Sequence, residues 1–316
     1  MTEPLKPTVR KRTFSERFVR EIRKNWGLYL LVSIPLLYLI LFKYWPMYGV
    51  QIAFRNYSPA RSIANSPWVG LKYFQKFMGN YQFKRILDNT IAISLYSLLT
   101  FPLPILLAVL LNYVTRPRFK KTVQMISYMP HFISTVVMVG IILQFLDVRS
   151  GMLNMLLTAL GREPVNFMAK PAYFRTIYIL SGVWQSLGYN SIIYIAALSG
   201  VSPELHEAAI VDGANILKRI WHVDLPGILP TISILLIMQC GSILSVGYEK
   251  IYLMQNSLNL SVSEIISTYV YKQGIAASMP QYSYATAIGL FVSVVNVIML
   301  LIVNAASNRL SGNSLF

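Results

Sequence analysis

Long uncharged runs, rather than short alternations, set the pattern of this chain. Six stretches without Asp, Glu, Lys or Arg cover residues 25–42, 89–115, 122–146, 176–201, 225–248 and 273–308. A helix crosses the hydrocarbon core of a bilayer with roughly 20 apolar residues, and each run reaches or approaches that length. Backbone groups in lipid must be satisfied within a helix or a closed barrel. Because the runs are continuous and do not alternate with period two, the pattern predicts an all-α, polytopic membrane protein with six transmembrane helices. Buried helices of a large soluble protein fit poorly, since six long runs escape any charge. The expected organisation is a basic N-terminal segment at 1–25, a first transmembrane helix with an outer interfacial segment at 26–85, a transmembrane core at 86–308 and a tail at 309–316.

Composition sharpens this picture. Of 316 residues, 55% are hydrophobic and 13% charged, about half the charge of a typical soluble domain. Lys6, Arg10, Lys11, Arg12, Arg17, Arg20, Arg23 and Lys24 precede the first run, and Arg116, Arg118, Lys120 and Lys121 crowd the short second connection. Basic residues in short loops stay on the inner side, so both termini are expected in the cytoplasm. The net charge of +16 sits beside membrane spans with no nucleic-acid-binding pattern around it. It therefore points to anionic lipid rather than nucleic acid. Lys43-Tyr44-Trp45-Pro46 after the first run lacks a small-x-small cleavage pattern, so that run reads as a retained helix. In the outer segment, Trp68, Tyr73, Phe74, Phe77 and Phe83 interleave with Lys72 and Lys76, which suits an interfacial helix. Pro102 and Pro104 in the second run and Pro130 in the third predict kinks; these fit either a cavity between helices or simple packing.

The connection between the fourth and fifth runs differs from the others. It holds Glu204, Glu207, Asp212 and Asp224, four of the chain's twelve acids. Ser202 is a good N-cap, Pro203 suits the first helical position and Glu204 complements the helix dipole. Gly213 permits a left-handed turn at the helix end. A second amphipathic stretch follows, with Ile216, Leu217, Ile220 and Trp221 on one side and Lys218 and Arg219 on the other. Leu225-Pro226 would then restart a membrane helix. A short helix with two adjacent alanines makes a low ridge that fits another protein's groove, although an amphipathic connector resting on the membrane uses similar residues. Acidic side chains are repelled by anionic headgroups, which disfavours the connector for the first half.

Glu207-Ala208-Ala209, Gly213 and then Val223-x-Leu225-Pro226 resemble the EAA motif of ABC-importer permeases, with Val223 in place of the usual isoleucine. Trp68-Val69-Gly70-Leu71, Asp88-Asn89-Thr90, Trp184 to Asn190, Gly247-Tyr248-Glu249 and Thr268-Tyr269-Val270-Tyr271 are similar to the sugar (maltose-type) branch and its LplB-like polysaccharide permeases. This resemblance covers nearly everything after residue 25. It implies a type I ABC-importer permease fold in a bacterial cytoplasmic (inner) membrane, with 202–226 as a cytoplasmic coupling loop. Glu207, Ala208, Ala209, Asp212, Gly213, Leu225 and Pro226 would transmit motion to an ATP-binding cassette ATPase dimer. It also implies a second, homologous permease subunit, an extracytoplasmic solute-binding protein and an oligosaccharide substrate, as in importers of pectic and alginate oligosaccharides.

No catalytic machinery is expected on the chain. It has no Gly-x-x-x-x-Gly-Lys-Ser/Thr phosphate loop and no Gly-x-Ser-x-Gly. His131, His206 and His222 stand far apart with no metal-ligand spacing. Cys240 reads as an inert buried thiol. ATP and Mg would be bound by the partner ATPase, with no cofactor here. Polar residues inside apolar runs tend to face a cavity or bond between helices. Candidates for a substrate path are Tyr96, Gln144, Trp184, Gln185, Tyr189, Asn190, Tyr194, Gln239, Tyr248 and Glu249, with Asn89 and Asn296 also in apolar runs. Thirteen Lys and Arg in the outer segments and span ends face only Asp88, Asp147, Glu163, Glu249 and Glu264. That excess either attracts a uronate-containing oligosaccharide or anchors the span ends.

Overall fold

A computed structural model describes residues 23–312, 314 and 315; most of the basic N-terminal segment, 1–22, therefore lies outside the described residues. Among these, the isolated bridge between Arg55 and Trp68 is the one β-pairing. Four helices are long and apolar enough to cross a membrane: Trp26–Phe54, Phe83–Asn112, Ile216–Cys240 and Tyr282–Arg309. A fifth span would be the pair Pro117–Phe132 and Thr135–Phe145, bent by 102°. The run at 176–201 becomes a helix of 28 residues, Pro171–Leu198, that does not join those four. Ser181, Gln185, Ser186, Tyr189, Asn190 and Ser191 dilute its hydrophobicity. The six expected spans are therefore four apolar helices, one bent pair and one helix interrupted by polar residues.

Helix α1, Trp26–Leu39, contains no buried residue. It continues through a π-wound turn, Ile40–Tyr44, into a 3-10 stretch, Trp45–Phe54, and that stretch packs on the last helix, α15, Tyr282–Ser311. The aromatic segment forms α2, Lys72–Met78. The second run is α3, Phe83–Leu99, and α4, Pro102–Asn112, broken where Pro102 and Pro104 withhold their N–H groups. The third is α5, Pro117–Tyr128, and α6, Thr135–Phe145. Its bend follows Pro130, and Ser134 restarts the helix by accepting from the Val137 N–H at 3.4 Å. After α7, Met152–Ala159, comes α8, Pro171–Leu198. The last run begins later than its uncharged stretch suggests, at Tyr282. The residues before it form separate short helices: α12 (Tyr248–Met254), α13 (Leu260–Ser263) and α14 (Ile266–Gly274).

Helix α8 is the axis of the bundle, packing against α4, α5 and α13. It approaches α5 so closely that a Cβ on Gly188 would lie 2.3 Å from the Ser127 carbonyl oxygen, so only glycine fits. At one end of the bundle Ile105, Ala108, Tyr194, Leu198 and Ile228 form one core cluster. At the far end Phe77, Ile86, Tyr269, Tyr284 and Ile288 form another. Lipid is as apolar as these side chains, so helix association rests on packing and interhelical hydrogen bonds. Asn89 supplies several of those bonds. Its Nδ2 donates to the Ser261 and Glu264 carbonyls at 2.9 and 3.0 Å, and its Oδ1 accepts from Arg175 at 2.8 Å. Glu264 in turn pairs with Arg85 at 2.5 Å and Lys272 at 3.5 Å. Asn296 donates to Ser245 Oγ at 2.7 Å and accepts from the Leu244 N–H at 3.1 Å. Asn89 is therefore an interhelical pin, and Asn296 ties the turn after Cys240 to the last helix.

Candidate functional site: a loop and a cavity on shared helices

The 202–224 loop forms as its residues suggest, with one difference. Ser202 Oγ accepts from the Glu204 N–H at 3.3 Å, Pro203 opens the helix and α9 runs Pro203–Val211. Gly213 takes φ +73°, and the Ala214 N–H donates to the Ala209 carbonyl at 2.8 Å. That geometry satisfies carbonyls at the helix end and needs a residue without a Cβ. Asn215 then caps the next helix by accepting from the Lys218 N–H at 2.9 Å. This second helix does not stop before Leu225. It passes from α10, Ile216–Arg219, through a π-wound turn, Ile220–Asp224, into α11, Leu225–Cys240. Leu225 and Pro226 lie inside one continuous helix, because the π-turn accommodates the residues ahead of Pro226 without a break.

Glu207, Ala208, Asp212 and Gly213 are exposed and Ala209 is half-buried. Around them stands an apolar rim: Leu217, 74% exposed, and Trp221, 69%, come from the expected amphipathic side, and Val211, 86% exposed, joins them. An exposed apolar patch edged by polar groups is a surface suited to meeting a protein or the membrane. The loop is tied to the bundle from beneath. Asp224 is fully buried, accepts from the Tyr113 hydroxyl at 2.6 Å, and has Oδ1 3.4 Å from His206 Nε2 on α9. The Arg219 guanidinium lies 5.3 Å from the centre of the Tyr113 ring. The sequence signal for this tie was an acid two residues before Pro226, where a span was about to begin.

A cavity of about 620 Å³ opens beside α8 at the Pro102/Pro104 break, within the usual size of small-molecule sites. Of the two readings of those prolines, the structure shows a cavity. At the Pro130 bend it shows packing instead, with Gln185 Nε2 donating to the Ile133 carbonyl at 2.9 Å. Five of the ten candidate path residues line the cavity: Gln185, Tyr189, Asn190 and Tyr194 on α8, and Gln239 on α11. Tyr189 also stacks on His131, ring centres 3.7 Å apart. The other five are not brought to the cavity. Trp184 falls between the rows of α8 that face it and is 51% exposed. Tyr96 packs on the core, and Gln144 is exposed on α6. Tyr248, stacked on Tyr271, and Glu249 are exposed on the first turn of α12. Sequence reasoning missed Ser97, Thr100, Ser186 and Lys250 in the lining. A second space of about 220 Å³ adjoins, sharing Ser97, Tyr178 and Gln239 and reaching Cys240. Among the described residues no group of three or more His, Cys, Asp or Glu could hold a metal.

Residues 77–312 match the family of binding-protein-dependent transport system inner membrane components. The chain belongs to that family. It is thus a multi-pass membrane permease. It is 43% identical to Protein LplB of Bacillus subtilis over 295 residues, 93% of this chain and 92% of that one. It is 39% identical over 307 residues to the polygalacturonan/rhamnogalacturonan transport system permease protein YteP of the same species, covering 97% of this chain and 95% of that one. A crystal structure of a bacterial ABC transporter involved in the import of the acidic polysaccharide alginate superposes with a TM-score of 0.85 and 38% identity, over 93% of this chain and 99% of that one. The bacterial alginate transporter in complex with an alginate pentasaccharide-bound periplasmic protein gives the same TM-score at 37% identity, over 95% of this chain and 100% of that chain.

Proposed function

We propose that this permease imports oligosaccharides, acidic ones of the alginate or pectin type, as one half of an ATP-driven ABC importer in a bacterial cytoplasmic membrane. A second, homologous permease completes the pathway, and an extracytoplasmic binding protein delivers the sugar. ATP and Mg are bound by an ATPase dimer seated against the 202–224 loop, with both termini of this chain on the same, cytoplasmic side. The observation that carries this reading is that loop and cavity share two helices. Helix α8 carries Gln185, Tyr189 and Asn190 on the cavity wall and ends at Leu198, directly before α9. The helix leaving the loop runs unbroken from Ile216 to Cys240 and brings Gln239 to the same wall. A shift of α9 therefore moves two sides of the cavity as rigid bodies, a two-state transmission rather than a gradual bend. Gly227 lies under Val201, where an added Cβ would sit 2.7 Å from a side-chain methyl, so the two helices are locked at the loop. The polar wall offers amides and hydroxyls to sugar hydroxyls, and Tyr189 offers a ring face.

Glu207→Gln removes an exposed carboxylate, and Gly213→Val forces a side chain into a left-handed backbone at a strain of about 1–2 kcal/mol. Both variants are expected to lower substrate-stimulated ATP hydrolysis of the assembled transporter severalfold while the complex still assembles. Wild-type stimulation in both would remove the loop from the coupling path.

A further inference from the structure

Among the residues lining the cavity, Lys250 is the one drawn from Asp, Glu, Lys and Arg. It lies on the first turn of α12 beside the exposed Glu249, but its own side chain turns inward and is partly buried. Its ammonium reaches across to α8, donates to the Tyr178 carbonyl at 3.1 Å and lies 4.9 Å from the centre of the Tyr178 ring. It passes close over Gly182, where an added Cβ would lie in ordinary contact, 3.5 Å from the Lys250 nitrogen. Among the described residues no carboxylate lies within 4.0 Å of that nitrogen. The far-end cations Arg85 and Lys272, in contrast, share Glu264. An ammonium carries three N–H donors, and one carbonyl with one ring face leaves donors toward the space. An unpaired charge away from water is unfavourable, and in a membrane protein such a group marks a substrate path. Around it the wall is neutral and hydroxyl-seeking, with Gln239, Gln185 and Asn190.

Resting on the reading of this cavity as a sugar path, we propose that Lys250 is the residue that selects a carboxylate-bearing sugar, pairing with one uronate group as the chain of sugars passes. The neutral amides and hydroxyls handle every sugar ring alike, whereas the ammonium distinguishes a uronate from the corresponding neutral hexose.

The test uses the complete transporter, with its second permease, ATPase and binding protein, in proteoliposomes, and trigalacturonate and trimannuronate as probes. Lys250→Met is expected to lower uptake about tenfold or more, the scale of a lost charge-assisted hydrogen bond, while Lys250→Arg keeps most of it. In a Cys240→Ser parent, Lys250→Cys is then treated with an aminoethylating, a methylating or an anionic thiol reagent. Restoration by the aminoethyl group alone, with further loss from the anionic group, supports the charge role. Wild-type uptake by Lys250→Met, or equal recovery with the neutral and aminoethyl groups, overturns it while leaving the sugar path intact. A wild-type transporter that carries neither trimer overturns the acidic-substrate reading together with this inference.

Discussion

Two regions of the bundle hold polar side chains among apolar helices, and they use them in opposite ways. At the far end Asn89 spends its amide on two carbonyls and a guanidinium, and Glu264 is shared by Arg85 and Lys272. In the cavity Asn190 and Gln239 form no side-chain hydrogen bond to another described residue, although both sit in uncharged runs of similar composition. The first arrangement is what a structural joint requires, since a buried donor left alone is expensive. The second leaves hydrogen-bonding capacity facing open space, where a passing sugar or water can take it. Residue type does not separate Asn89 from Asn190, but the presence or absence of a partner does; Gln185, which lines the cavity and also donates to the Ile133 carbonyl, stands between the two groups.

The largest expected effect comes from breaking a joint. Asn89→Leu leaves the Arg175 guanidinium and two backbone carbonyls without their partner, a loss of about 1–3 kcal/mol. It should lower the thermal unfolding midpoint of the purified complex and reduce its yield. An unchanged midpoint would erase the distinction between joint and wall. Asn190→Ala probes the other side. Its stability should stay within about 0.5 kcal/mol of wild type, as for a residue without partners, while the sugar concentration for half-maximal uptake rises. Destabilisation without a transport defect would place Asn190 among the joints. The smallest effect belongs to a water-facing reference. Asp147 accepts from the Ser150 N–H and hydroxyl and from the Arg149 N–H, and these bonds hold its carboxyl below the usual carboxylate range. A depressed value means that its contribution is complete above the ordinary carboxylate pKa and fades as pH falls through the lowered one. Hydrogen exchange in residues 147–151 should loosen in acid for wild type, whereas Asp147→Asn should show a flatter acid dependence and unchanged uptake at neutral pH.

Much of the 202–224 loop was legible in advance because its determinants are local. Ser202, Pro203 and Gly213 act on backbone within a few residues of themselves, and each is found doing so. The continuity from Ile216 to Cys240 was not legible, since Leu225-Pro226 reads as a restart until a π-turn absorbs the proline. Four of the five cavity candidates that were found lie on α8, which carries its polar residues at helical spacing. Trp184 failed for the same geometry, one position off the facing rows. Lys250 was passed over because it stands beside Glu249 at the edge of an apolar run, where a lysine ordinarily faces water.

By itself the sequence determined the apolar spans, the membrane as solvent, and a capped short helix at 202–213 with its left-handed turn, all consequences of composition, periodicity and local backbone preference. Only the tertiary structure decided which polar residues are joints and which are wall, that α8 packs at the bundle axis with Gly188 against Ser127, and that Asp224 ties the loop to Tyr113. Each of these depends on which helix faces which across 50 to more than 100 residues of chain. That pairing is set by packing and hydrogen-bond partners brought together from distant segments, and no local pattern records it.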